Sequence, residues 1–173
     1  AGIAALLYYF TKVGFSLAPY RILAEALVFV IIPPAMAFVI QSANLHRLLT
    51  LTVIPLVAAY LTYPLLLQLK TFIQDHRSHR RTLATEIGWE KTMVFHNALI
   101  LVAYLLFALI ALLNFPWFLL WPVFLTLPIG IVEIWLMERV RRGRKPLWAV
   151  MQFATASIYF IPMYLIAFAY WIR

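Results

Sequence analysis

The densest group of chemically capable side chains lies between two apolar segments, in the stretch from Lys70 to Lys91. It contains the only aspartate of the chain, Asp75, which is followed closely by Arg80 and Arg81. A carboxylate can hold Mg²⁺, and a guanidinium group can bind diphosphate oxygens through two hydrogen bonds at once. At a membrane surface this combination indicates a site for a phosphorylated lipid. The alternative is a solvated loop whose arginines set the membrane topology and contact anionic headgroups.

The composition shows which solvent surrounds these residues. Hydrophobic residues make up 65% of the 173-residue chain and charged residues 12%, and the mean hydropathy is +0.93. A soluble domain of this size cannot cover so much apolar surface. The composition therefore excludes a soluble globular fold and a disordered chain, and the lack of cysteine excludes a disulfide scaffold. We expect an all-α, polytopic transmembrane helix bundle that forms a single domain over residues 1–173.

Spanning helices are predicted from the lengths of the apolar segments. A helix that crosses a bilayer needs about 20 mostly apolar residues. Five segments qualify, at 22–41, 48–69, 93–113, 116–137 and 147–172. Residues 1–10 are apolar but too short, and we expect them to be the end of a preceding helix. The alternative for residues 1–10 is a short re-entrant or surface helix.

The net charge of +8 is distributed as membrane orientation requires. Twelve of the fourteen lysines and arginines lie before the first span, between the second and third, or between the fourth and fifth. These basic segments are expected to face the cytoplasm. No nucleic-acid recognition motif accompanies the charge, and we expect the bilayer, not a nucleic acid, to be the partner.

Two parts of the sequence resemble a known family. The tract at 75–88, DHRSHRRTLATEIG, resembles the loop of UbiA-type intramembrane prenyltransferases, whose pattern is roughly D-x-x-x-D-R-x-x-G-K-R-T-L-A-x-x-x-G. Tyr8 and Lys12 match that family's Y-x-x-x-K element, and residues 19–25, PYRILAE, resemble the segment that follows it. The resemblance extends over the whole chain, whose five spans would correspond to the fifth to ninth helices of the family.

The resemblance implies a reaction and a set of site residues. The reaction is Mg²⁺-dependent transfer of a polyprenyl group from its diphosphate to a lipophilic acceptor, such as an aromatic quinone precursor or a tetrapyrrole. Asp75 would be the catalytic residue and would hold the Mg²⁺. Tyr8, Lys12, Arg80 and Arg81 would bind the diphosphate. A bacterial or archaeal plasma membrane is the implied location.

The tract also departs from the family pattern. Aligned on R-T-L-A, it has Thr71 in place of the first aspartate of the pair and His79 in place of a glycine. A register with Asp75 first instead puts His79 at the second carboxylate. Either register leaves one carboxylate, which weakens Mg²⁺ binding, and the family's N-D-x-x-D-x-x-x-D motif does not occur in this sequence. A second hypothesis is therefore a non-catalytic UbiA-like membrane subunit of a larger respiratory or photosynthetic complex.

Three glutamate or histidine side chains lie within the predicted spans. Glu25 follows Arg21 by four residues, a spacing that predicts an ion pair on one helix face, and a substrate contact is the alternative. Glu133 is either an intramembrane functional group or a side chain that extends towards Arg139 and the interface. His96 begins the third predicted span, where interhelical hydrogen bonding and acceptor binding are the two interpretations.

Overall fold

The described part of the chain is helical. The computed structural model describes residues 18–42, 47–113 and 116–171, and the expected all-α class is confirmed for them. In chain order the elements are a 3₁₀ turn (Ala18–Tyr20), α1 (Arg21–Ala26), a π-helical turn (Leu27–Ile31), α2 (Ile32–Ser42), α3 (Arg47–Arg77), α4 (Leu83–Ile87), α5 (Trp89–Leu112), α6 (Trp117–Leu120), a 3₁₀ stretch (Trp121–Thr126), α7 (Leu127–Arg141) and α8 (Trp148–Trp171).

Four helical stretches are long and apolar enough to cross a membrane. They are Leu51–Arg77, Trp89–Leu112, Trp117–Arg141 and Trp148–Ala169. Large apolar side chains remain exposed on their outer surfaces, and burying them requires lipid. The protein is therefore an integral membrane protein, and these stretches correspond to four of the five predicted spans. The segment predicted at 22–41 is also helical, but it is not one of the four.

Some of the prolines lie where the helices become irregular, whereas Pro55, Pro64 and Pro162 lie inside continuous α-helix. Pro33 and Pro34 follow the π-helical turn, and the missing N–H groups and the ring of a proline disturb the turn that precedes it. Pro122 and Pro128 occupy the first turns of the 3₁₀ stretch and of α7. The third long stretch consequently changes its helical type twice between Trp117 and Arg141.

The four long stretches form a closed ring. Contacts join α3 to α5, α5 to α7, α7 to α8 and α8 back to α3. Fully buried apolar side chains, among them Ile100, Phe107, Leu120 and Ile158, fill the middle of the ring. Helix α1 packs on the outside of α3, where Ile22 and Ala26 belong to the same buried cluster as residues of α3. This packing fixes the height of each polar side chain in the bundle.

Most of the described basic residues lie at one end of the bundle. The Trp89 ring at the start of α5 contacts Phe72 of α3 and Trp148 at the start of α8, with centroids 5.4 and 6.3 Å apart. The turns after α3 and after α7 therefore lie at the same end. We call this end, formed by residues 70–91 and 139–148, the basic end.

The predicted connecting segment from Lys70 to Lys91 is mostly helical, which corrects the sequence-based interpretation. Helix α3 continues to Arg77, and only residues 78–82 form the turn before α4. At 1.5 Å per residue α3 is roughly 46 Å long, which exceeds the hydrocarbon core of about 30 Å. The last turns of α3 therefore extend to the membrane surface as ordered helix.

Candidate functional site

Asp75 lies in the last turn of α3 and is buried. Its exposed fraction is 4%. Thr71 lies four residues earlier on the same helix face, and its hydroxyl donates a hydrogen bond to Asp75 Oδ2 at 2.7 Å. The two positions that the family alignment assigns to the aspartate pair therefore meet in space. One position supplies a carboxylate and the other a hydroxyl.

The turn after α3 brings Arg80 back to Asp75. The Arg80 backbone N–H donates to the Asp75 carbonyl oxygen at 2.9 Å, and Arg80 Nη1 lies 3.7 Å from Asp75 Oδ1. His79 makes this return possible with a φ of +53°, a left-handed conformation that glycine adopts more readily. The family pattern has glycine at this position.

The R-T-L-A residues have a structural role at the start of α4. Thr82 and Thr85 form a reciprocal capping box, in which Thr82 Oγ1 accepts from the Thr85 N–H at 3.2 Å and Thr85 Oγ1 accepts from the Thr82 N–H at 2.8 Å. Ala84 is fully buried, and its N–H donates to Gln68 Oε1 of α3 at 3.1 Å. Gln68 thus fixes α4 against α3, and with it the wall of the site.

Arg81 has a different partner from Arg80. Its Nε donates to Glu86 Oε1 at 2.8 Å, and both side chains are largely exposed. An exposed pair of this kind contributes little to stability. Arg81 can therefore exchange Glu86 for a phosphate group at small cost.

These side chains surround one open pocket of about 180 Å³ at the basic end. The residues that line it are Asp75, His76, His79, Arg80, Arg81 and Thr85. Two guanidinium groups and two imidazoles face one carboxylate, so the pocket favours an anionic ligand with several oxygens. Asp75, Arg80 and Arg81, three of the five predicted site residues, line it together. Tyr8 and Lys12 lie outside the described residues.

The donor set fits a magnesium ion only together with its substrate. Among the described residues, no group of three or more His, Cys, Asp or Glu side chains could form a complete metal site. Mg²⁺ commonly binds to one or two carboxylates and completes its shell with substrate phosphates and water. Asp75 could supply the one protein oxygen of such a site, and a bound diphosphate the others.

The structure also shows the surroundings of the polar residues that were singled out in the predicted spans. Glu25 accepts a hydrogen bond from Arg21 Nε at 2.8 Å, which confirms the predicted ion pair. Glu133 does not extend to the interface: it is fully buried, and its Oε1 lies 4.0 Å from His96 Nε2. Arg139 instead stacks over the Trp135 ring at 4.7 Å.

Sequence reasoning missed Gln68 and Thr85 in the site and the His96–Glu133 pair in the interior. Gln68 lies on the same face of α3 as Thr71 and Asp75, a spacing that could have indicated it. His96 and Glu133 lie at similar distances from the basic ends of two antiparallel helices. Their similar distances from the basic end could have predicted that the two side chains meet.

Comparison of the chain with protein-family models, with curated proteins and with solved structures finds no match. The likeness of residues 75–88 to the UbiA-type loop therefore stays a prediction from the residues.

Proposed function

We propose that the protein is an intramembrane prenyltransferase of the UbiA type and that the Asp75 pocket binds the diphosphate of its polyprenyl substrate. The observation that carries the proposal is the pocket itself. A buried carboxylate, two guanidinium groups and two imidazoles share one opening at the end of an otherwise apolar bundle. A polyprenyl diphosphate needs cationic groups for its head, which the pocket has, and apolar surroundings for its chain, which the exposed apolar faces of the helices would supply.

The backbone of the turn supports the proposal independently of side-chain identity. The family pattern has glycine at the positions of His79 and Gly88. In this chain both positions have positive φ, of +53° and +90°. Positive φ is the conformation that glycine adopts most readily, so the backbone at these two positions supports the proposal, although one of the two glycines is replaced by histidine.

Each site residue has a task in the proposed reaction. The allylic C–O bond breaks and the diphosphate leaves with the bonding electrons; an electron pair of the acceptor then forms the new bond to the allylic carbon, and the acceptor loses a proton. Bound Mg²⁺ would stabilise the charge on the leaving diphosphate. Arg80 and Arg81 would bind the diphosphate oxygens, Asp75 would supply the protein ligand for the metal, and the apolar helices would exclude water from the cation.

The topology belongs to the same proposal. The helical segment from Arg21 to Ser42 would be a further span, the first of the five predicted ones. The basic end would face the cytoplasm, as the distribution of lysine and arginine favours. On that side the pocket meets both the aqueous phase and the lipid headgroups, and a lipophilic acceptor can approach from the bilayer.

Thr71 favours a second candidate, a non-catalytic UbiA-like membrane subunit of a respiratory or photosynthetic complex. Thr71 stands at the position where the family pattern has a second carboxylate, and its hydroxyl donates a hydrogen bond to Asp75 Oδ2 at 2.7 Å. A single carboxylate provides a weaker Mg²⁺ site than a pair. Such a protein would keep the fold and the pocket without the reaction.

A turnover assay separates the two candidates. The protein, reconstituted in lipid nanodiscs, is incubated with Mg²⁺, polyprenyl diphosphates and aromatic acceptors, and pyrophosphate release is measured. The enzyme predicts release by the wild type that is lost in Asp75→Asn. Glu90→Gln, which removes an exposed carboxylate at the same end, is the matched control and should retain the activity. No release above background from folded wild-type protein would reject the enzyme.

A further inference from the structure

The interior of the helix ring contains polar atoms that the proposed reaction does not use. His96 on α5 and Glu133 on α7 are fully buried, and His96 Nε2 lies 4.0 Å from Glu133 Oε1. Among the described residues, neither His96 Nε2 nor the two Glu133 oxygens has a hydrogen-bond partner. Unsatisfied buried polar atoms are costly and indicate a ligand or a shared proton.

The two residues lie at one level of the membrane. His96 is about 10 Å along α5 from Trp89, and Glu133 is about 12 Å along α7 from Arg141, at 1.5 Å per residue. Both starting points belong to the basic end. Thr155 of α8 lies at the same level, about 10 Å from Trp148. The three side chains therefore form a layer inside the hydrocarbon region, well below the Asp75 pocket.

Two neighbours of Glu133 can accept hydrogen bonds. The Thr155 hydroxyl lies near the Glu133 carboxyl, and when its one hydrogen is donated to the Met151 carbonyl oxygen at 2.8 Å, Thr155 Oγ1 can still accept. His96 Nδ1 lies 3.4 Å from Asn97 Oδ1. In the tautomer that donates from Nδ1 to this oxygen, His96 Nε2 has a lone pair on the side of Glu133.

We propose that Glu133 and His96 form an intramembrane proton-binding site, in which Glu133 holds the proton as a carboxylic acid and donates it to one acceptor at a time, His96 Nε2 or Thr155 Oγ1. A bare carboxylate opposite two acceptors would be repelled by both, and the apolar interior would add the cost of a net charge. The separation of 4.0 Å is beyond a direct hydrogen bond, so sharing the proton requires a small approach of the two side chains. The proton thereby links α5, α7 and α8 through His96, Glu133 and Thr155.

The site is independent of the proposed prenyl transfer, since it needs only the protonated carboxyl. Its ligand is a proton, and loss of that proton would leave three facing acceptors in the bundle. A functional consequence follows directly: the contact between these helices depends on whether the proton is held.

Infrared spectroscopy of the protein in nanodiscs tests the site. At neutral pH the wild type should show the C=O stretching band of a protonated carboxylic acid, and Glu133→Gln should lose it. The glutamine keeps the shape and offers N–H donors to the same two acceptors, so this variant should fold. Glu138→Gln is the matched control on the same helix: Glu138 is paired with Arg141 and Arg142, so its removal should leave the band unchanged.

Isotope labelling gives the same answer without a variant. Glutamate labelled with ¹³C at its side-chain carboxyl should shift the band in the wild type, whereas aspartate labelled in the same way should leave it in place. Absence of the band from the folded wild type, its persistence in Glu133→Gln, or its insensitivity to labelled glutamate would each overturn the proposal.

Discussion

Two buried carboxyl groups of this protein have opposite surroundings. Asp75, at the basic end, faces donors: the Thr71 hydroxyl at 2.7 Å and the Arg80 guanidinium at 3.7 Å. Glu133, inside the ring, lies 4.0 Å from His96 Nε2 and, in the proposed proton site, faces acceptor atoms of His96 and Thr155. Donors stabilise an anion and acceptors stabilise an acid, so the same chemical group suits metal and phosphate chemistry in one place and proton binding in the other. Burial alone does not distinguish the two sites.

The largest effect on stability is expected in the interior. Glu133→Ala removes the side chain that joins three helices and leaves a cavity, and should lower the free energy of unfolding by about 2–4 kcal/mol. Glu138→Ala, on the exposed face of the same helix, should cause no resolvable change, because exposed ion pairs contribute little. Unfolding by a denaturing detergent, followed by circular dichroism, measures both variants. Equal losses in the two would remove the distinction between the buried and the exposed carboxyl.

A smaller effect is expected from the close approach of α5 and α7 one turn away from Glu133. A Cβ added at Gly130 would lie 2.8 Å from Tyr104 Cε2 and 3.3 Å from Ile100 Cγ2. Gly130→Ala should therefore destabilise the protein by about 1–3 kcal/mol through overpacking. The double variant Gly130→Ala with Tyr104→Leu should recover part of this loss in the same assay. Wild-type stability of Gly130→Ala would show that the helices can separate there at no cost.

The basic end should respond to restoration of the family's carboxylate pair. Thr71→Asp places two carboxylates four residues apart on one helix face, and we expect Mg²⁺-dependent binding of a polyprenyl diphosphate to strengthen about tenfold because the number of anionic ligands rises. Thr71→Asn, which adds a neutral side chain of similar size, is the control. Isothermal titration with and without Mg²⁺ measures the affinity. Equal affinities for the two variants would show that the metal does not bind at this position.

The smallest effect concerns the backbone of the turn. His79 has a φ of +53°, so His79→Gly should relieve strain and stabilise the protein by up to about 1 kcal/mol. The same exchange at His76, within the last turn of α3, should destabilise by about 1 kcal/mol, since glycine disfavours helix. Thermal unfolding measures both variants. If the turn is strained, His79→Gly should raise the melting temperature and His76→Gly should lower it; if the turn is not strained, both variants should lower it.

The helical bundle was easier to predict from the sequence than its local geometry. The lengths of the apolar segments identified the four long stretches, because the bilayer sets a minimum length that few other structures require. The sequence predicted that the second span ends at residue 69, whereas α3 continues to Arg77. The charged residues in its last two turns are typical of a loop, but here they continue the helix. The 3₁₀ and π-helical turns were missed, because a proline in an apolar segment does not show which neighbouring turn will change its hydrogen bonding.

Only part of the site could be predicted, namely the residues whose side-chain type itself indicates chemistry. Asp75, Arg80 and Arg81 could be selected by residue type, and the structure brings them to one pocket. The residue types of Gln68 and Thr85 did not indicate their roles, because both act through backbone atoms of α4 and of the turn before it; only the spacing of Gln68 from Thr71 and Asp75 pointed to the site. The His96–Glu133 contact joins residues far apart in the chain, and predicting it requires the order in which the helices pack.

Equilibrium binding of a radiolabelled polyprenyl diphosphate to the protein in nanodiscs, with and without Mg²⁺, tests the Asp75 pocket most directly. We predict saturable binding by the wild type that Mg²⁺ strengthens. Asp75→Asn should lose the Mg²⁺-dependent part, and Glu90→Gln should retain it. Binding that is the same in all three proteins, or that ignores Mg²⁺, would contradict the account.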